Sequence, residues 1–298
     1  MTNVGIIGVG DMGIGLSANL LQAGYTVIGY DLSADRLVKL QELGGKVASS
    51  IQEIAQSSNA IFIMVLNGSQ LYEVTMELIE VMKKNSTIFV TATVRPKEIQ
   101  RLIEPVTEKQ IHLVDCPVSG GKPGADQGTL TLMAAGPKLI VEQHKNLLSA
   151  IGEKIFHVGE NIGDGQTVKA ALQVLIGANY TAMFEAMVLG VKAGVDPQVL
   201  YDVISTTAVG GPLFQNCIPF ILEGKFENTG SHIGTMYKDL CISMDLAQEN
   251  QVPMFTGAAA KELFQAGIGR FPKQDNWSII KILEEFAGIK VRTVPEKN

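Results

Sequence analysis

A glycine-rich turn between a short apolar strand and a helix constrains the fold of this chain most strongly. The strand is Val4–Ile7, and Gly8, Gly10 and Gly13 follow it immediately. A second apolar stretch ends in Asp31, 18 residues after Gly13. An acidic residue at about this distance from such a turn is typical of a strand–turn–helix unit that binds a dinucleotide.

The residues of this turn have separate physical roles. Gly8 permits the tight turn, Gly10 lets a pyrophosphate approach the backbone, and Gly13 lets the helix pack on the strand. The free N–H groups and the dipole of the helix N-terminus attract phosphates. Asp31 accepts hydrogen bonds from an adenosine ribose and repels a 2′-phosphate, so the sequence favours NAD over NADP. Arg36 is consistent with NADP instead, because a nearby arginine can accommodate that phosphate.

Strand and helix patterns alternate from there to about residue 157, as a doubly wound sheet requires. The continuous apolar run Ala60–Leu66 is expected of a buried parallel strand, and Asn67 begins the loop after it. The next strand, Ser86–Val90, is followed by a loop that contains Thr93. Both loops leave the carboxyl ends of strands, where ligands bind in such sheets.

A segment rich in glycine and proline follows the predicted strand Ile111–Asp115. It begins at Cys116, contains Ser119-Gly120-Gly121, and has the composition of an elaborate loop. A hydroxyl group beside exposed backbone N–H groups is well suited to binding a carboxylate. On composition alone, the alternative is a loop that binds no ligand.

Strand patterns end near Gly163, and a long helix is predicted from Gln166 to about Gly194. It is apolar on nearly every side, which suits burial between two bodies. Lys169 lies in its first turns in apolar company, where a lysine is costly without a partner or a function. The alternative is a lysine that snorkels to the surface at the helix edge.

The sequence therefore predicts an α/β chain of two domains. Residues 1–162 form an N-terminal, doubly wound Rossmann domain that binds the dinucleotide. Residues 163–298 form an all-helical domain for substrate binding and dimerisation, joined to the first by the long interdomain helix. With 298 residues, of which 46% are hydrophobic, the chain can bury two cores and a subunit interface. A homodimer or homotetramer is expected.

Charge and composition exclude several other classes. The net charge of −6 argues against nucleic acid and an anionic membrane as partners. Cys116, Cys217 and Cys241 are widely spaced and form no CxxC, which is typical of reduced thiols in a cytoplasmic protein. The four scattered histidines predict no metal site. A signal peptide and an unbroken membrane span are not expected, so we predict a soluble protein.

Taken together, these motifs resemble those of the β-hydroxyacid dehydrogenase family, which includes 3-hydroxyisobutyrate, tartronate-semialdehyde and L-threonate dehydrogenases. The resemblance covers nearly the whole chain. The matching motifs are Gly8-Val-Gly10-Asp11-Met12-Gly13 with Asn19-Leu20, Asp115-Cys-Pro-Val-Ser119-Gly120-Gly121 running to Gly128-Thr-Leu, Gly163-x-Gly165-x-x-x-Lys169, and Lys238-Asp239-Leu240.

The resemblance implies an oxidoreductase that transfers a hydride between NAD(H) and a small 3-hydroxy carboxylic acid. It implies Lys169 as the general acid/base. It further implies contacts with the dinucleotide by Gly8, Gly10, Asp11, Met12, Gly13, Asp31, Leu66, Asn67, Thr93 and Lys238. The substrate contacts that it implies are Ser119, Gly120, Gly121, Gln173 and Lys238.

Several positions depart from the family pattern. Most members have asparagine four residues beyond the lysine, where this chain has Gln173, and proline where it has Asn67. Ala92 stands where serine is usual. Leu172 stands where asparagine or histidine is frequent in the family. Asn67, Gln70 and Gln173 resemble the L-threonate dehydrogenase branch, although Leu172 is atypical in that branch too. The implied substrate is a threonate-type four-carbon aldonate or an acid like 3-hydroxyisobutyrate.

Three alternatives share parts of this pattern. An imine reductase has the same fold but usually lacks both the Ser-Gly-Gly segment and the lysine. A 6-phosphogluconate dehydrogenase has both motifs but a much larger helical domain than 298 residues allow. A non-catalytic dinucleotide-binding protein is the third alternative. An unrelated explanation for Lys238-Asp239 is an exposed charge pair on a helix.

Overall fold

The computed structural model describes residues 3–293 and contains two compact units. The division lies between Lys169 and Ala170, inside the helix Asp164–Lys192. The sequence predicted a domain boundary seven residues earlier, between residues 162 and 163. The ends of the two predicted domains, residues 1–2 and 294–298, lie outside the described residues.

One sheet forms the centre of the first unit. Within the described residues its strands are β1 (Asn3–Ile7), β2 (Thr26–Tyr30), β3 (Lys46–Val47), β4 (Ala60–Ile63), β5 (Thr87–Val90), β6 (His112–Asp115), β7 (Val118–Ser119), β8 (Leu130–Ala135) and β9 (Gly152–Gly159). The order is β3-β2-β1-β4-β5-β6-β8-β7, and β9 pairs with β8. The first six strands are parallel, and the connections reverse direction between β1 and β4, the ligand-binding point of a Rossmann sheet.

Helices cover both faces of this sheet. In the described residues they are α1 (Asp11–Gln22), α2 (Ala34–Glu42), α3 (Ile51–Ser57), α4 (Gly68–Ile79), α5 (Pro96–Gln100), α6 (Ile103–Glu108), α7 (Gly121–Gln127), α8 (Lys138–Gln143) and α9 (Lys145–Ser149). Successive residues of β4 enter different cores, because strand side chains alternate between faces. Phe62 packs in one core and stacks on Phe89 at 4.9 Å, whereas Ile61 and Ile63 pack in the other.

The glycine-rich segment after β6 is more ordered than its composition predicts. It contains β7 and the short helix α7 instead of one elaborate loop. Gly120 and Gly121 have φ of +135° and +60°, so the chain can turn sharply into the helix. Gly128, with φ of +68°, ends α7 in the left-handed conformation that is common after helices. Asn19 of α1 fastens α7 by donating to the carbonyl of Ala125.

The regular elements of the second unit, within its described residues, are helices joined by loops. The helix α10 (Asp164–Lys192) enters it from the first unit, and the others are α11 (Pro197–Ser205), α12 (Pro212–Leu222), α13 (Ile233–Glu249), α14 (Phe255–Arg270), a 3₁₀ turn (Asn276–Ile279) and α15 (Ile280–Ala287). Phe184, Phe214, Phe264 and Trp277 lie in one apolar core of this unit. The predicted fold class, a Rossmann domain followed by a helical domain, is confirmed.

Helix α10 is long and apolar enough to cross a membrane by length and composition alone. Its most apolar 18-residue window has a mean hydropathy of 1.5, and 28% of that window is buried. Leu175, Ala182, Ala186 and Leu189 are exposed on it at helical spacing, with Leu175 60% and Leu189 72% exposed. One face of the helix is therefore uncovered in the single chain.

Candidate active site

Two glycines of the first turn leave no room for a side chain. A Cβ on Gly8 would lie 2.2 Å from the carbonyl oxygen of Met64, and Gly8 has φ of +90°. A Cβ on Gly13 would lie 1.9 Å from the carbonyl oxygen of Gly8. Both contacts are with backbone atoms, so any larger residue would displace the turn or the start of α1.

Gly10 is constrained in a different way. The nearest atoms to a Cβ there would belong to the guanidinium of Arg36, at 3.5 Å or more, which is ordinary van der Waals distance, so no backbone atom crowds this residue. Gly10 is also the N-cap of α1 and has no side chain that could accept from the first N–H groups of the helix. Space beside free donors fits a dinucleotide phosphate. Asp11 and Met12, exposed and half-buried, begin the helix.

Asp31 ties the end of β2 to the glycine turn. Its nearly buried carboxylate accepts hydrogen bonds from the backbone N–H groups of Val9 and Ser33, both at 2.9 Å. The half-exposed Arg36 lies beside it, with a nitrogen 3.5 Å from Oδ2. Asp31 and Arg36, which gave opposite indications for the cofactor in the sequence, therefore form an ion pair beside Gly10.

The loops after β4 and β5 contain Leu66, Asn67 and Thr93, the three loop residues that the resemblance assigned to the dinucleotide. Leu66 is largely exposed. Asn67 caps α4 by accepting from the N–H of Gln70 at 2.9 Å, and Gln70 accepts in return from the N–H of Leu66 at 3.0 Å. The amide oxygen of Asn67 therefore holds the helix start. Thr93 is half-buried in the loop after β5.

Ser119, Gly120 and Gly121 lie where β7 passes into α7. Ser119 is half-buried, and both glycines are exposed with positive φ, so their backbone is at the surface. A residue with a Cβ could adopt either of these conformations only with strain. The exposed backbone beside a hydroxyl group is the arrangement that the sequence proposed for a carboxylate.

The first turn of α10 is fixed by a buried carboxylate that the sequence did not identify. Asp115, at the end of β6, accepts from the N–H groups of Gly163 and Gln166 through Oδ2, both at 3.0 Å. Its Oδ1 accepts from the side-chain amide of Gln166 at 2.9 Å. Burial raises the pKa of Asp115 to about 6, although these N–H donors lower it, so the carboxylate is largely ionised at neutral pH.

Two glycines shape this helix start. Gly163 has φ of +106°, a conformation that favours glycine. A Cβ on Gly165 would lie 2.6 Å from the carbonyl oxygen of Met133 and 2.9 Å from Oδ2 of Asp115. The Gly-x-Gly spacing therefore lets the helix begin directly against β8 and the end of β6.

Lys169 follows one turn after Gln166 on α10. Its side chain is only 6% exposed, which contradicts the interpretation of a lysine that snorkels to the surface. The hydrogen bonds to Asp115 hold the preceding helical turn, so the start of α10, and with it Lys169, is fixed relative to the end of β6.

In the second unit, Asp239 joins two of the predicted residues. The side-chain amide of the buried Gln173 donates to Oδ2 of Asp239, and Nζ of Lys238 lies 2.9 Å from Oδ1. Asp239 is buried and Lys238 is partly exposed, so the pair is not the exposed charge pair considered from sequence. Among residues 3–293 no group of three or more acidic, histidine or cysteine residues is arranged to hold a metal ion.

Comparison with known proteins finds matches over nearly the whole chain. Residues 3–159 match the family model of the NAD-binding domain of 6-phosphogluconate dehydrogenase. Residues 163–283 match that of the NAD-binding region of NADP-dependent 3-hydroxyisobutyrate dehydrogenase.

Individual relatives agree with these family models. An L-threonate dehydrogenase of Cupriavidus necator is 33% identical, over 97% of each chain, and a 2-(hydroxymethyl)glutarate dehydrogenase of Eubacterium barkeri is 31% identical, also over 97% of each. The crystal structure of a 3-hydroxyisobutyrate dehydrogenase from Salmonella typhimurium is 30% identical, with a TM-score of 0.87 over 95% of this chain and 100% of that one. With its glycine turn, its Rossmann sheet and these matches over nearly the whole chain, the chain belongs to the β-hydroxyacid dehydrogenase family and is an NAD-linked dehydrogenase of that family.

Proposed function

We propose that this chain interconverts a small 3-hydroxy carboxylic acid and its oxo form with NAD, and that a threonate-type four-carbon aldonate is its preferred substrate. The observation that carries the proposal is Lys169, a buried lysine one turn from a helix start that a buried carboxylate anchors. A lysine so placed can move a proton at a fixed position, which a dehydrogenase of hydroxyacids requires.

Each residue of this chain has a defined task in the proposed reaction. Nζ of Lys169 accepts the hydroxyl proton on oxidation and donates a proton to the carbonyl oxygen on reduction. The backbone and hydroxyl group at Ser119–Gly121 bind the substrate carboxylate, and Gln173 binds a further hydroxyl group. Lys238 lies near the cofactor and the substrate. NAD, when bound, supplies the hydride acceptor.

The dinucleotide is held by the turn Gly8–Gly13, which includes Asp11 and Met12, by Asp31, and by the loop residues Leu66, Asn67 and Thr93. We keep residues 1–162 as the dinucleotide-binding domain and 163–298 as the substrate and dimerisation domain. The two family models support this boundary, since one match ends at residue 159 and the other begins at 163.

A screen of three- and four-carbon hydroxyacids with NAD and NADP tests the reaction. Formation of the reduced cofactor with one of these acids is expected. If the protein binds the cofactor but turns over no acid on a broad panel, it is a non-catalytic dinucleotide-binding protein. Reduction of cyclic imines without oxidation of any hydroxyacid would instead indicate an imine reductase.

We expect L-threonate to exceed 3-hydroxyisobutyrate by at least about tenfold in kcat/KM. Oδ2 of Asp239 accepts from the amide nitrogen of Gln173, and the amide oxygen of Gln173 is left as an acceptor for the substrate. A substrate hydroxyl group satisfies this oxygen and a methyl group does not, a difference of roughly 1–3 kcal/mol. Gln173→Asn, which shortens the reach, should reduce the preference. A higher kcat/KM for 3-hydroxyisobutyrate would contradict this role of Gln173.

NAD should exceed NADP by at least about tenfold in kcat/KM, because a 2′-phosphate would meet the carboxylate of Asp31. Two backbone N–H groups hold that carboxylate in place, so it cannot easily turn away. Arg36→Ala should lower the remaining activity with NADP and leave that with NAD nearly unchanged. Equal kcat/KM values for both cofactors in the wild type would mean that the attraction of Arg36 for the 2′-phosphate offsets the repulsion by Asp31.

We propose that a second copy of the chain covers the exposed face of α10, giving a homodimer or homotetramer in the cytoplasm. Asn179 and Glu185 on this helix disfavour lipid as the covering partner. Light scattering should show an oligomer at micromolar concentration, and Leu189→Glu should weaken it. Leu139→Glu, at an equally exposed leucine of α8, is the control and should not. A monomeric wild type would overturn this assignment.

A further inference from the structure

Three segments of the first unit carry residues with proposed roles in the reaction. They are the loop 91–94 with Thr93, the segment 116–121 with Ser119, and the first turns of α10 with Lys169. Two buried polar residues, Asp115 and Gln166, lie where these segments meet. Both are completely buried, and neither belongs to the residues assigned to the cofactor or the substrate.

The side chain of Gln166, a residue of α10, bonds to the loop 91–94 and to Asp115. Its Oε1 accepts from the N–H of Val94 at 3.0 Å, and its Nε2 donates to the carbonyl of Ala92, also at 3.0 Å. These two residues flank Thr93. The same Nε2 donates to Oδ1 of Asp115 at 2.9 Å. The loop of Thr93 is therefore bonded directly to the helix of Lys169.

Asp115 extends the connection to the third segment. It is the last residue of β6 and precedes the segment of Ser119 in the chain. Its other oxygen holds the N–H groups of Gly163 and Gln166 at the start of α10. The helix of Lys169 is thus bonded to the strand end from which the segment of Ser119 departs.

The donors and acceptors of this cluster fit in one arrangement only. The ionised carboxylate accepts and cannot donate, so the amide nitrogen of Gln166 must face it. The amide oxygen then faces Val94, whose N–H needs an acceptor. Turning the amide over would set an oxygen against the carboxylate and a donor against the N–H of Val94, and buried groups without partners cost about 1–3 kcal/mol each. The cluster therefore resists small displacements of any of the three segments.

We propose that Asp115 and Gln166 are positioning residues of the reaction. They hold Lys169 and the loop of Thr93 at fixed positions relative to the segment of Ser119. The inference rests on the proposed role of Lys169 in proton transfer. It assigns to the pair no contact with the substrate or the cofactor. Its consequence is that loosening the cluster slows turnover while the ligands still bind.

Asp115→Asn tests this with little change in size. The asparagine oxygen can keep the bonds to Gly163 and Gln166, but its nitrogen then faces Nε2 of Gln166, and two donors meet. We expect kcat to fall about tenfold while KM for the acid and for NAD stays within about twofold. Amide hydrogen exchange in peptides covering residues 91–97 and 163–170 should quicken by at least about tenfold.

The matched control is Leu148→Ala, which removes a fully buried side chain from the core of the same unit without touching the cluster. This substitution should lower the melting temperature but leave kcat and the hydrogen exchange of both peptides close to the wild type. All variants are compared at a temperature at which thermal melts show each of them to be folded. Equal effects of the two substitutions would reduce Asp115 to a contributor to stability and overturn the proposal.

Gln166→Glu provides a second route if Asp115→Asn does not fold. It sets two carboxylates against each other, and adding Asp115→Asn to it removes that repulsion. The double variant should therefore have a higher kcat and slower exchange than Gln166→Glu alone. A double variant no better than that single variant would contradict the coupling of the two residues.

The two readouts separate this inference from the proposed function. If the wild type oxidises no hydroxyacid, the proposed function fails, and hydrogen exchange still decides whether the cluster fixes the three segments. If the wild type is active and Lys169→Ala is not, unchanged kcat and exchange in Asp115→Asn would reject the positioning role alone.

Discussion

Lys169→Ala lowers kcat by at least about 10²-fold and leaves the dissociation constant for NAD within about twofold, if Lys169 carries the proton in the reaction. The substitution removes the acid/base group while the glycine turn, Asp31 and the loop of Thr93 are unchanged. Steady-state kinetics and fluorescence titration with the reduced cofactor measure the two quantities separately. A small primary amine added to the solution should restore part of kcat, because it can occupy the space left by the side chain.

Lys109→Ala is the control for this experiment. Lys109 is an exposed lysine of the same unit, paired with Glu80 at 3.0 Å. Loss of a surface ion pair changes stability by only about 1 kcal/mol or less, so the activity should not change. Near wild-type turnover by Lys169→Ala would reject Lys169 as the acid/base, whatever the substrate is.

The parts of the fold that the sequence predicted correctly are those whose signals are local. Ala60–Ile63 is apolar at every position because helices cover both faces of the sheet, and this made β4 recognisable. The glycine turn was recognisable because its three glycines directly follow an apolar strand and Asp31 comes 18 residues after Gly13. The helix α7 was missed because glycine and proline indicate loops, although Gly128 was a usable signal for a helix end.

The parts of the candidate site that the sequence missed depend on partners distant in the chain. Asp115 and Gln166 are 51 residues apart, and Gln173 and Asp239 are 66 apart. No local periodicity reports such a pairing, because it is created when strands and helices pack. Asp239, beside Lys238, suggested an exposed charge pair for the same reason. A carboxylate as the last residue of an apolar strand, in front of a glycine-rich segment, was the available signal for Asp115.

Gly165 is the position at which one added methyl group should disturb the site most. It is the second residue of α10, and an added Cβ would lie 2.6 Å from the carbonyl oxygen of Met133. The same Cβ would lie 2.9 Å from Cδ of Pro117 and from Oδ2 of Asp115. Backbone and ring atoms cannot move aside like the end of a flexible side chain, so the helix start must shift.

Gly165→Ala should therefore lower kcat by about 10²-fold, because a displacement of about 1 Å in a reacting group can have an effect of this size. The melting temperature should fall as well, since the bonds from Asp115 to the first turn are stretched. Cofactor affinity should change much less, because the glycine turn and Asp31 lie on other elements.

Gly269→Ala separates this effect from the general consequence of replacing a helical glycine. Gly269 lies in α14, and nothing stands within 4 Å of the Cβ that alanine would add. Alanine is favoured over glycine inside a helix by about 0.5–1 kcal/mol, so this variant should be as stable as the wild type or more stable, with unchanged kcat. If Gly165→Ala behaves in the same way, α10 can begin further from β8 without loss, and close packing there does not determine where Lys169 acts.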